Sequence, residues 1–131
     1  MGKLTVNYKG DKLFQSTVGE HTVTIEMPEG WGGKNRALLP PQYLLISIGA
    51  CIGAFVERYC ADNDINTEGM SIEMQFDKME ERFDNVQAII HMPNADFKGR
   101  EKAILRVAEH CFVDETIKSL SEGTKIALTA D

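Results

Sequence analysis

Two thiols stand where this sequence could carry chemistry. Cys51 sits inside the uncharged, mostly apolar run 43–56, and Cys111 follows sixty positions later at the end of an amphipathic stretch. A cysteine attacks a peroxide oxygen or a disulfide sulfur only as its thiolate, so a reactive one needs access and a stabilised negative charge. Without these, each thiol is a small buried hydrophobe. A third, Cys60, lies nine positions after Cys51, about half a turn away at ~100° per helical residue, so the two should face opposite sides. Three widely spaced cysteines suit neither a secreted disulfide framework nor a paired zinc site. The expectation is free thiols in a reducing compartment and no metal.

The other candidate groups read as structural. His21, His91 and His110 lack the spacing of a zinc helix, and His110 is the sequence neighbour of Cys111, a spacing that does not bring helical side chains together. Gly30-Trp31-Gly32-Gly33-Lys34 lacks the first glycine of a phosphate loop and has Asn35 in place of the Ser or Thr. Glu80, Glu81 and Glu101 sit among other charges, as solvated faces do. No cofactor is expected. The net charge of −6 leaves no basic face for a row of phosphates, which argues against a nucleic-acid partner.

The elements that must position the thiols follow from patterning. Leu4, Val6 and Tyr8 alternate with polar residues, Leu13 to Val18 reads as a second strand, and His21 to Met27 as a third, with Val23, Ile25 and Met27 on one face. The Gly-rich segment 28–36 is a loop. Pro41 suits a first helical turn, and the helix runs to about Cys60 before Asp62-Asn63-Asp64 stops it. Ser71 to Met79, with Ile72, Met74 and Phe76 on one face, pairs with Val86 to Met92 as a hairpin. Ile104, Ala108 and Cys111 form the stripe of an amphipathic helix, Asp114 or a neighbour caps a short further helix through Leu120, and Lys125 to Thr129 forms a last strand. This is an α+β pattern in a single domain, 1–131: three strands, a long buried central helix, two strands, helices and a last strand.

A helix apolar nearly all round needs cover on two sides, and a second copy of the chain is the economical source, with Gly49, Ala50, Gly53 and Ala54 permitting close approach. The apolar run 43–56 is shorter than the ~20 residues a membrane span needs. The N-terminus has no signal-peptide apolar region. A cytoplasmic protein without a membrane partner is expected.

Pro40-x-x-x-Leu44-Leu45-x-x-x-Gly49-Ala50-Cys51, followed by Ala108-Glu109-His110-Cys111-Phe112-Val113-x-x-Thr116-Ile117, resembles the OsmC/Ohr family of osmotically induced and organic-hydroperoxide-resistance proteins. The resemblance implies an intertwined homodimer with sheets wrapped around paired central helices. It also implies metal-free reduction of a small hydroperoxide, with Cys51 as the peroxidatic residue, Cys111 as the resolving one and an external dithiol restoring both. Two departures mark a divergent branch. Peroxidase members place a glutamate ten residues before the reactive cysteine to hold an arginine over the thiolate; Pro41 stands there in this chain, leaving Lys12, Arg36 or Arg58 as possible cations. Phe112 also replaces the proline that usually follows the second cysteine. The alternative reading is a non-catalytic or weakly active dimer of this fold that binds a small apolar ligand.

Overall fold

The computed structural model describes residues 1–130. Two compact units part inside one continuous helix: Met1–Ile46 and Ser47–Asp131. The first is an antiparallel meander of β1 (Asn7–Tyr8), β2 (Leu13–Val18) and β3 (His21–Glu26), with Phe14 opposite Ile25 and Ser16 opposite Val23. β1 is shorter than the alternation Leu4-Val6-Tyr8 predicts. Thr5 instead gives its carbonyl to the Ser16 hydroxyl at 2.8 Å. The loop after β3 makes a single 3-10 turn, Glu29–Trp31, and Gly33 packs so tightly that an added Cβ would overlap the Met27 carbonyl oxygen, so a side chain there would force the backbone to move.

Helix α1 spans Pro40–Asp62. Its two prolines occupy the first turn, where their missing N–H groups cost no helical bond, and the Gln42 side chain reaches back to accept the Leu39 N–H at 2.9 Å. By length and composition α1 could cross a membrane, but in the second unit it is a core helix. There β4 (Ser71–Lys78) and β5 (Phe83–His91) pair antiparallel, and α2 (Glu101–Glu109) and α3 (Phe112–Ser119) follow. Ile52, Val56, Cys60, Ile65, Ile104 and Cys111 form the buried cluster. Each fully buried aliphatic side chain contributes about 1.5–3 kcal/mol relative to exposure.

The faces of α1 divide sharply. Gly49 and Gly53 lie against Met74 and Ile72 of β4, whereas Ala50 and Ala54 are exposed. Cys60, predicted to face away from Cys51, is wholly buried in the cluster against which half-buried Cys51 packs, because the second unit covers more than half of the helix circumference. Phe76 leaves the face shared by Ile72 and Met74: the register slips between Gln75 and Asp77, and the ring stacks on Phe83 at 4.5 Å. The position capping α3 is Cys111 rather than Asp114. The expected last strand over 125–129 does not form. Ile126 and Leu128 are 90% and 99% exposed. Alternation gives a strand its two faces, but its hydrogen bonds need a neighbouring strand edge, and neither sheet extends to this segment.

Candidate functional site

Both thiols belong to the second unit, and three elements bring them together. α1 presents Cys51 half-buried, α2 ends at Glu109, and the chain turns through His110 into Cys111, the extended residue (φ −70°, ψ 156°) that starts α3. The turn forms because α2 buries Ile104 and packs Ala108 against the cluster, which carries the chain end down to place Cys111 wholly inside it. Cys51 packs against the buried cluster that contains Cys111 and is among the groups that raise the Cys111 thiol, and both thiols are unbridged.

The first N–H groups of a helix have no partner within it and carry its positive end. Here they meet sulfur. The Val113 N–H donates to Cys51 Sγ at 3.5 Å. The Asp114 N–H points at the Cys111 sulfur, a contact looser than a capping hydrogen bond but one that favours the thiolate. Burial is the stronger influence and pushes the Cys111 thiol up, and the neighbouring Cys51 and the Asp114 carboxylate push the same way. No cation is among the groups acting on it. Burial, helped by Glu57, also raises the Cys60 thiol, which serves as core.

The cations considered from sequence are engaged or solvated. Arg58 and Lys12 are exposed. Arg36 is bound in the first unit: Nε and Nη2 donate to the Glu26 carboxylate at 3.0 and 2.7 Å, and Nη2 also donates to the Asp11 carbonyl at 3.0 Å. The Lys34 and Arg36 backbone N–H groups complete the shell at 2.7 and 2.6 Å. Glu26 is wholly buried, and its pKa is lowered to about 2, chiefly by Arg36. Sequence reasoning missed Glu26, which occupies a polar-face position of β3. The signal available was a lone carboxylate at a strand end with an arginine ten residues on, beyond a Gly-rich loop.

Two further features have other roles. An open cleft of about 480 Å³ in the first unit is lined by Thr22, Thr24, Arg36 and Tyr43. These groups already bond to protein: Tyr43 OH donates to the Thr24 carbonyl at 2.6 Å, and the Thr22 and Thr17 hydroxyls pair at 2.8 Å. Among the described residues no three His, Cys, Asp or Glu side chains converge as a metal site would require.

The family model for OsmC-like protein matches residues 33–127, a span that holds both thiols. The chain belongs to the OsmC-like family. Several solved structures share the family's fold with it. One, from Psychrobacter arcticus 273-4, is described as an osmotic-stress-induced and detoxification-response protein; the TM-score is 0.76 at 20% identity, covering 88% of each chain. An OsmC-like protein from Mycoplasma pneumoniae gives 0.68 at 16% identity over 93% of this chain and 90% of that one. A third, from Legionella pneumophila, is described as an organic hydroperoxide resistance protein OsmC, a predicted redox protein and regulator of sulfide bond formation; it gives 0.59 at 18% identity over 90% of each. No curated protein matches. At these identities the likeness establishes the OsmC-like fold.

Proposed function

We propose that this OsmC-like protein is a thiol-dependent peroxidase that reduces organic hydroperoxides, with Cys51 as the peroxidatic and Cys111 as the resolving residue. One observation carries the reading: a half-buried thiol packs against the cluster that holds a wholly buried one at the start of α3, whose first-turn N–H groups point at both sulfurs. In the first step the Cys51 thiolate attacks one peroxide oxygen and the O–O bond breaks. The released alkoxide takes a proton and leaves as the alcohol, while Cys51 becomes a sulfenic acid, oxidised by two electrons. Cys111 then attacks that sulfur, an S–S bond forms, and the hydroxyl leaves as water with the Cys111 proton. An external dithiol reduces the disulfide by exchange. It enters at Cys51, since Cys111 has no exposed surface.

The same reading makes the protein a cytoplasmic homodimer that needs no bound cofactor. Support for the dimer comes from the exposed Ala50–Ala54 face of α1 and the exposed Ile126 and Leu128. The test is consumption of cumene hydroperoxide with dithiothreitol. The parent should turn over, Cys51→Ser should fall to background, and Cys111→Ser should stop at a Cys51 sulfenic acid that a dimedone trap captures. Turnover that survives Cys51→Ser would sink the proposal. The second reading, a ligand-binding dimer without catalysis, is favoured by Pro41 and by the absence of a cation acting on Cys111. It predicts a parent that consumes no hydroperoxide.

A further inference from the structure

β3 is the last strand of the meander, so one of its edges has no strand beside it. The Met27 N–H donates to the Lys12 carbonyl of the inner side, whereas the Glu26 N–H donates outward to the Leu38 carbonyl and the Thr24 carbonyl accepts the Tyr43 hydroxyl. By the alternation of an antiparallel ladder, residues 22, 24 and 26 therefore turn their backbone groups to the open edge. Leu38 already occupies one end of that edge, bridging in parallel to Ile25. The chain then departs into α1, and the edge at Thr22 and Thr24 opens onto the cleft of about 480 Å³ that Ala37, Leu38 and Tyr43 also line. Such an edge is a template for one more strand. Its two faces differ: Val23 and Ile25 stand beside Ser16 and Phe14 on one, and Thr22 and Thr24 beside Thr17 and Gln15 on the other.

The segment 125–128 has the matching form. It joins neither sheet and is exposed throughout, and its apolar Ile126 and Leu128 alternate with Lys125 and Ala127. We propose that residues 125–128 of a second copy add to the β3 edge at Thr22–Thr24, each copy giving this segment to the other. As a strand there, the segment continues both faces: Ile126 and Leu128 extend the face of Val23 and Ile25, and Lys125 and Ala127 extend the threonine face. The occupant is a second copy because the single chain leaves the segment outside both of its sheets, while an identical chain supplies strand and edge together. A reciprocal exchange about a two-fold axis closes at two copies. It also covers an open edge and an exposed apolar strand, each of which otherwise invites open-ended aggregation. The inference rests on the homodimer reading above and is independent of the peroxidase.

Two measurements test it. Sedimentation velocity over a concentration series compares the parent with the double variant Ile126→Lys, Leu128→Lys. The parent should be a dimer, and the variant dimer should dissociate about a hundredfold more readily, having lost two apolar side chains from each exchanged strand. The second measurement reads the pairing directly. Thr22→Cys with Ala127→Cys, and Thr24→Cys with Ala127→Cys, sample two registers on the threonine face with the native thiols left in place. Each is oxidised with diamide, and linked peptides are identified by mass spectrometry after non-reducing electrophoresis. A covalent dimer joined between position 22 or 24 and position 127 supports the exchange, since a disulfide forms only where the two backbones lie side by side. A link within one chain, a ladder of larger linked species, or no link through position 127 in either variant overturns it. Where the two measurements disagree, as they would if the lysine variant did not fold, the link decides. A parent dimer without the link keeps the homodimer reading and removes this inference. A parent that is monomeric throughout removes both.

Discussion

The two units handle negative charge in opposite ways. In the first, the Glu26 carboxylate has a guanidinium on one oxygen and backbone N–H groups on both, and its pKa falls to about 2. In the second, backbone N–H groups face the two sulfurs without a cation, and burial, with Cys51 and the Asp114 carboxylate, pushes the Cys111 thiol up. Both units use amides aimed by a turn. What differs is a cation: with one, Glu26 is driven further below the ordinary carboxylate range, and without one burial leaves the Cys111 thiol above its ordinary value. The lesson is that a strong ion pair can serve to fold a loop while the candidate reaction depends on weaker dipoles.

That contrast can be broken first at its stronger end. Glu26→Ala strips four donors of their shared acceptor inside a buried site, so melting temperature should fall by several degrees, more than for any other single change named below. The pH dependence has a definite sign. Because the folded pKa of Glu26 is about 2 against an ordinary 4.5, its contribution is complete above about pH 4.5 and is lost as pH falls from there toward 2. Acid unfolding monitored by circular dichroism should therefore be less steep in Glu26→Gln across that window. An unchanged acid limb would mean the pair contributes nothing.

At the thiol end, Cys60→Ala should cost about 1 kcal/mol through a small cavity, measured by urea unfolding, and leave the proposed hydroperoxide turnover unchanged, which separates the packing thiol from the two candidate reactive ones. Val113→Pro removes the N–H that faces Cys51 from a first helical turn that tolerates proline. Alkylation of Cys51 at neutral pH should slow about threefold if that amide supports the thiolate. Phe112→Pro, the smallest change, occupies the first position of α3 after an extended Cys111. It should stabilise by about 0.4–1 kcal/mol without altering either rate.

The order of elements was legible in the sequence because each long periodic stretch had one competing explanation at most. Residues 43–56 read as a buried helix with a membrane span as the one competitor, and Ser71–Met92 as a hairpin. Three features were not legible, each for a physical reason. The slip that turns Phe76 out of its face is one extra residue in a ladder, invisible to a two-residue period. The segment 125–129 has a strand's alternation, yet pairing depends on an edge that no local pattern encodes. Glu26 reads as a solvent-facing strand residue because its burial is set by Arg36, ten positions away across a loop. For the site, the positions of Cys51 and Cys111 came from resemblance. Their link to α3 did not, since a sequence names the residue before a helix but not what its amides will meet.

Cys111 begins α3 without a capping hydrogen bond from its side chain. Serine at that position would offer the Asp114 amide a true acceptor, a change typically worth about 1 kcal/mol to a helix. Selection for heat resistance alone should therefore favour serine at 111, while, on the peroxidase proposal, selection for survival in hydroperoxide should retain cysteine. A library passed through both regimes would reveal at this codon how much robustness the lineage forgoes to keep a sulfur in place.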